Sequence, residues 1–363
     1  MVGFVTPQPL SYYAREVRRE LPADAFAPHP LSLGWMAFHL AGLVGGMFAV
    51  AHHLGGWPGM LLCSIIIGHS FSGLGFCGHE ILHGSVVRNS VLRQVLGFIA
   101  YTPFCLSPTM WVAWHNRVHH GNTQKVGVDP DMFPTLEEYR ASKVTRIADA
   151  VSYGSSRLAG FFTILIGFTG QSTQVLFRQA RKPDYLSASQ HRRAIIEWVA
   201  MWSCWIAYGV IFGKMAFLFG FAIPLMIGNS ISISYIYTNH NLSPFTEVND
   251  PLINSLSVTF PRWVEKLHLN FGYHVEHHLF PSMSGKYGPA VRDILARKWP
   301  DRYQSMPFFR AMKLLYFTPR VYKDATTLIE PRTGLEFSTL VPTPSKSSSQ
   351  IEGVSAVVAQ AVG

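Results

Sequence analysis

The chain has 363 residues, 48% of them apolar and only 14% charged, with a formal net charge of +9. A soluble domain carries about 25% charged residues, so this composition excludes an ordinary water-soluble globule. The basic excess, set in so apolar a chain, suits loops facing anionic lipid and argues against a nucleic-acid partner.

Residues 1–30 are punctuated by Pro and charge and hold no apolar core of a cleavable signal peptide. Residues 31–55 and 57–78 then carry no Lys, Arg, Asp or Glu. Each is close to the ~20 residues a helix needs to cross hydrocarbon. Residues 194–213 contain only Glu197, and 215–237 contain no charge. The expectation is an all-α integral membrane protein with four spans in two hairpins and a helical cytoplasmic cap. One membrane domain covers 1–341, and the small, polar tail 342–363 reads as disordered. Val91–Leu106 is too short, and too broken by Pro103, to add a span. Leu158–Phe177 is uncharged but holds Gln171, Ser172, Thr173 and Gln174, so it reads as an interfacial or buried cytoplasmic helix.

Orientation follows from the bases. Arg15, Arg18 and Arg19 precede the first span, and many more, from Arg88 to Arg193, separate the second from the third. The link between spans one and two has none, and that between three and four has only Lys214. The positive-inside rule therefore places both termini and the long polar segments in the cytoplasm, as in a multi-pass protein of a bacterial inner membrane. The four cysteines lie in or beside apolar stretches and read as small buried residues. Gly73–Gly78 fits G-x-G-x-x-G, but it ends an apolar span and follows no strand. Small-residue helix packing accounts for it better than a dinucleotide site.

Sixteen histidines are present, and eight fall in three clusters. These are His79 and His83; His115, His119 and His120; and His274, His277 and His278. On a helix, residues i, i+3 and i+4 share a face, so each cluster can present its imidazoles in one direction. All three lie on the side that Lys and Arg mark as cytoplasmic. Eight imidazoles exceed what one ion with an open position can take, so two metals are expected. All-nitrogen ligation in a membrane favours iron doing oxygen chemistry. His29, His39, His52, His53, His69, His191 and His268 read as loop, interface or satisfied core residues. His79-Glu80-Ile81-Leu82-His83 also fits the zinc-protease pattern H-E-x-x-H, but that reading leaves six clustered histidines without a role. A metal transporter would place its histidines within the spans, not at their ends.

"GHEILHGS", "WHNRVHHGNT…DPD" and "NFGYHVEHHLFP" resemble the three histidine boxes of the membrane fatty-acid desaturase superfamily. The resemblance implies two iron ions (Fe2+) held almost entirely by histidine, with O2 as co-substrate. It also implies a fatty acyl substrate, carried as lipid, acyl carrier protein, CoA or free acid. His240, in the polar stretch after the fourth span, becomes a ninth ligand by the same resemblance. No fused cytochrome b5 segment is visible, so electrons are expected from a separate donor such as ferredoxin or cytochrome b5. Desaturation is the leading outcome. Hydroxylation, acetylenic-bond formation, carotenoid ketolation and oxidative decarboxylation to a terminal alkene remain open on such a site. Glu80, Asp129, Asp131, Glu276, Asn116 and Asn270 lie near enough in sequence to support the imidazoles. Trp111, Trp114, Phe271 and Tyr273 are candidates to line an acyl tunnel.

Overall fold

A computed structural model describes residues 6–180 and 185–341. The expected tail, 342–363, lies outside the described residues. Among those residues, four helices are long and apolar enough to cross a membrane: Pro30–Ala51, Gly56–His83, Ala188–Phe212 and Lys214–His240. Apolar side chains such as Phe48, Leu62, Val210 and Ile211 stand exposed on them, as lipid contact requires.

The ends of these helices are set by local chemistry. The second span stops at Gly84, whose left-handed φ of 83° lets its N–H reach back to Glu80 O and Ile81 O. The helix therefore runs five residues beyond the charge-free window and carries His79 and His83 on its last turns. The third span starts at Ala188, ahead of the apolar run. Ser187 accepts from Gln190 N, and the Gln190 side chain returns the bond to Ser187 N. In the fourth span a π turn, Leu218–Ala222, precedes Pro224, which has no N–H to give the helix. This helix persists to His240, so His240 ends the span and does not follow it.

The first and second spans meet through small residues. A Cβ on Gly42 would lie 2.7 Å from Ser70 Oγ, one on Gly46 2.6 Å from an Ile67 carbon, and one on Gly73 2.1 Å from the His39 ring. A Cβ on Gly75 would lie 3.1 Å from the Phe104 ring and one on Gly78 2.9 Å from the Tyr101 ring. Backbones approach only where side chains vanish, so the G-x-G-x-x-G run is a packing surface. Gly73→Ala is expected to destabilise the protein by ~1–3 kcal/mol through overpacking, read as a fall in melting temperature in detergent.

Ser90–Phe104 and Pro108–His119 form a pair bent by 103°. The single carboxylate of the third span, Glu197, anchors this bend. It accepts from Ser107 Oγ (2.6 Å), Thr109 Oγ1 (2.8 Å) and Arg193 Nε (2.8 Å). Residues 158–174 form most of a helix, Arg157–Gln174, that docks on the fourth span: Thr169 N donates to Asn229 Oδ1 (2.8 Å), and Gly167 abuts Ile233. Its other edge, Leu158, Phe161, Phe162 and Ile166, is exposed.

The fold is not wholly helical. β1 (Ser257–Thr259) pairs in parallel with β2 (Ser305–Pro307), Ser257 opposite Ser305. β3 (Val321–Asp324), β4 (Thr327–Ile329) and β5 (Glu336–Ser338) form an antiparallel sheet in that order. The N-terminal helix Leu10–Arg18 lies over His274–Leu279, with Tyr13 and Val17 in one core with Val275 and Leu279. Buried Asp250 ties this layer together, accepting from Gln8 N (2.7 Å), Tyr13 Oη (3.1 Å) and Arg302 Nη2 (2.7 Å). All four cysteines are free; Cys77 and Cys105 are buried, Cys63 is half-buried, and Cys204 faces outward from the third span.

Candidate metal centre

The three clusters converge, but no box with adjacent histidines acts as a unit. His115 and His119 sit in a π turn, Val112–His119, and His120 N bonds His115 O at 3.0 Å. The wider turn sets His115 and His120 side by side and sends His119 elsewhere, a use typical of π turns at functional sites. In the short helix His274–Leu279, His274 and His278 share a face one turn apart while His277 points away. The expectation that each cluster presents its imidazoles in one direction is therefore corrected. Boxes two and three each divide theirs between two groups.

The first group is His79, His83, His115, His120 and His277; the second is His119, His240, His274 and His278. Within each, one ligand atom per residue lies within 4.8 Å of all the others. In the first, Nε2 atoms are 3.1 Å apart for His79–His115, His115–His120 and His120–His277. In the second, those of His240, His274 and His278 are 2.7, 3.0 and 3.2 Å apart. Two neutral imidazole nitrogens at such distances share one proton at most, so these arrays aim lone pairs at one another. His83 Nε2 and His119 Nε2 are buried with no partner. Buried acceptors left this way cost about 1–3 kcal/mol each, unless a cation takes their lone pairs. The donor set, imidazole nitrogen throughout, fits a borderline transition metal.

Supporting contacts differ from those expected. His119 Nδ1 donates to Asp129 Oδ1 (2.9 Å), while Asp129 Oδ2 accepts from Gln124 N (2.7 Å). Burial drives the Asp129 carboxyl upward, but His119 outweighs it and holds it below the usual carboxylate range. Asp131 sits 3.4 Å from His119 Nδ1 and accepts from Trp114 Nε1 (3.0 Å) and Gln171 Nε2 (2.6 Å). Burial and the neighbouring Asp129 charge push it up.

The other sequence candidates face elsewhere. Glu80 accepts from Ser85 Oγ (3.0 Å) and Gly285 N (3.1 Å). Glu276 accepts from Ser257 Oγ and Tyr303 Oη, both at 2.5 Å. Asn116 donates to Leu82 O and Asn270 to Gly285 O. The supports that sequence reading missed are Thr123 Oγ1, 3.2 Å from His278 Nδ1, and Asn254 O, 3.2 Å from His240 Nδ1. Thr123 closes the "HHGNT" run, a usable signal; a backbone carbonyl leaves none.

An apolar cavity lies beside both groups. Phe76, Trp111, Trp114, Phe168, Ile236 and Phe271 line it, with His79 and His115 from one group and His119, His240 and His274 from the other. Tyr273 does not line it: it borders a separate small cavity, and its hydroxyl donates to Glu265 (2.8 Å). His39, one of those read as loop, interface or satisfied core residues, is buried with both its ring nitrogens unpartnered, so the satisfied-core alternative does not hold for it. His69 and His268 lie 3.3 Å apart, and the Tyr235 hydroxyl is 2.8 Å from His268 Nδ1.

The sequence model of the family named fatty acid desaturase matches residues 55–310. The chain is 25% identical over 337 residues to an sn-1 acyl-lipid omega-3 desaturase (ferredoxin) of Synechocystis sp., covering 85% of this chain and 89% of that one. It is 25% identical over 321 residues to a chloroplastic sn-2 acyl-lipid omega-3 desaturase (ferredoxin) of Helianthus annuus, covering 82% and 70%. A chloroplastic omega-6 fatty acid desaturase of Spinacia oleracea is 22% identical over 332 residues, covering 87% and 71%. With the family model spanning well over half of its length, this chain belongs to the fatty acid desaturase family and is an oxidoreductase.

Proposed function

We propose that this chain inserts a double bond into an acyl chain of a membrane lipid, with one iron ion held by each imidazole group. The observation that carries this reading is the apolar cavity bordered by imidazoles of both groups. When bound, the two irons supply the oxidising power of O2 and two external electrons. The protein's own part is positioning. Trp111, Trp114, Phe168 and Phe271 form an apolar slot that holds methylenes in extended register and keeps bulk water out. Asp129 keeps the His119 Nδ1–H in place and so directs Nε2 into the second group.

Relatives named as acyl-lipid desaturases using ferredoxin support a lipid-borne acyl chain and a ferredoxin-type electron donor. The distribution of Arg and Lys supports two hairpins with the histidines at the cytoplasmic face.

The test is gas chromatography–mass spectrometry of products from purified protein, reduced ferredoxin and lipids with defined acyl chains. A new double bond at one carbon position is expected. Unchanged acyl chains beside a 1-alkene or hydroxy acid would overturn the proposal.

Glu80 gives a second check. Its carboxylate is held by Ser85 and Gly285, away from the histidines, and a glutamine oxygen can accept the same bonds. Glu80→Gln is expected to keep more than about a third of the turnover, the loss of one charge-assisted bond being modest. A protease base at this position would leave none.

A further inference from the structure

A groove of 930 Å³ opens on the polar segment between the second and third spans, lined among others by Val118, Asp129, Gln174, Arg178, Tyr185 and Arg320. Its size is within the range of specific ligand sites. The Arg320 guanidinium carbon sits 4.3, 4.8 and 5.4 Å from the ring centres of Phe133, Tyr153 and Tyr237. These rings fix the plane of the guanidinium by cation–π contact but accept none of its N–H bonds. Among the described residues, Arg320 and Arg178 make no hydrogen bond or ion pair. The Tyr185 hydroxyl, on a residue 8% exposed, also lacks a partner.

Carboxylates share the wall: Glu138 accepts from Thr135 N and Asp129 from His119 and Gln124, while Asp149 accepts from Ser155 Oγ at one oxygen and keeps the other, Oδ1, buried without a hydrogen bond. The groove thus offers two guanidinium groups free of hydrogen bonds, Arg320 with Asp149 in its field, and one free hydroxyl, a donor set suited to phosphate.

We propose that this groove binds the phosphodiester of the acyl lipid's headgroup, with Arg320, Arg178 and Tyr185 as its donors. The proposal rests on the acyl-lipid reading and deepens it. The groove wall includes Val118, one residue from His119, and Asp129, the partner of His119. Asp131, bonded to Trp114 and Gln171, borders the acyl cavity two residues further on. A headgroup on Arg320 is therefore anchored on the groove whose wall adjoins, through Asp129 and Asp131, the lining of the acyl cavity. The phosphates of a CoA or carrier-protein thioester share this chemistry, so the test must separate the sources.

The test is equilibrium binding of radiolabelled dihexanoylphosphatidylglycerol to the full chain in detergent, with dihexanoylglycerol and CoA as competitors. Arg320→Gln and Arg178→Gln are each expected to weaken phosphatidylglycerol binding about tenfold, the size of one charge-assisted contact. Competition by neutral dihexanoylglycerol should not change. The Arg178 side chain is exposed and makes no hydrogen bond or ion pair among the described residues, so its variant reports on binding even if the Arg320 variant folds poorly. Unchanged affinity in both variants, or an equal loss for the neutral glyceride, overturns the site. CoA competing more tightly than phosphatidylglycerol overturns its assignment to lipid. Binding needs neither electrons nor turnover. A lipid that binds in this arginine-dependent way yet is not desaturated would sink the proposed activity and leave the site standing.

Discussion

His120→Ala is expected, on the proposed reading of one iron per imidazole group, to cut turnover below about 1% and to lower bound iron from about two per chain to about one. His120 is the joint of the five-imidazole group: its Nε2 lies 3.1 Å from both His115 and His277, and its ring is edge-on to His83. It also stacks on His278 of the other group at 4.4 Å. Removing it opens the first group while leaving all four members of the second in place. His278→Ala is expected to do the reverse, emptying the group of His119, His240 and His274. Elemental analysis alongside product assay reads both outcomes. A His120 variant that keeps two irons and a tenth of its turnover would show that the two groups are not separate metal sites.

Asp129→Asn should act more selectively. Its two oxygens serve different donors, His119 Nδ1–H and Gln124 N–H. An asparagine has one carbonyl, so its NH2 must confront one of these N–H groups. Either His119 loses its partner and its preferred tautomer, or the Gln124 backbone loses its acceptor. Replacing such a support typically costs 10–100-fold in metal affinity. The loss is expected in the second group alone, seen as one iron released at lower chelator concentration and one unchanged. A chelator titration with both irons leaving as in the parent would refute the assignment. The unpaired His119 would weaken folding too, so melting temperature must be followed alongside.

The positions of the spans were legible because membrane insertion is written in composition: a helix in hydrocarbon tolerates almost no charge. Their ends were not, because caps decide them. Ser187 with Gln190 starts the third span ahead of its apolar run, and Gly84 lets the second continue through His83. The histidines announced themselves by spacing and number. Their partition did not, since one extra residue in the turn at Val112–His119 leaves no mark on a pattern read as i and i+4. Asn254 and Ser257 were invisible for a different reason. Asn254 holds His240 through its backbone carbonyl, and Ser257 Oγ accepts from His274 N and Val275 N across the fold; any loop residue looks the same in sequence. Leu158–Phe177 was recognisable as helical, but its docking on Asn229 and Ile233 is tertiary packing with no local signature.

The division of the boxes has a consequence for how the chain is made. Neither imidazole group is complete until the helix His274–Leu279 exists, because each draws on it: His277 for one, His274 and His278 for the other. That helix in turn is covered by Leu10–Arg18 and secured through Asp250 to Arg302. A nascent chain with all four apolar helices already in the bilayer still holds only His79, His83, His115 and His120 of one group, and His119 and His240 of the other. There is no stage of synthesis at which one group is finished and the other is not. Both become competent together, after about the first three hundred residues have left the ribosome and the first twenty have folded back over the helix His274–Leu279.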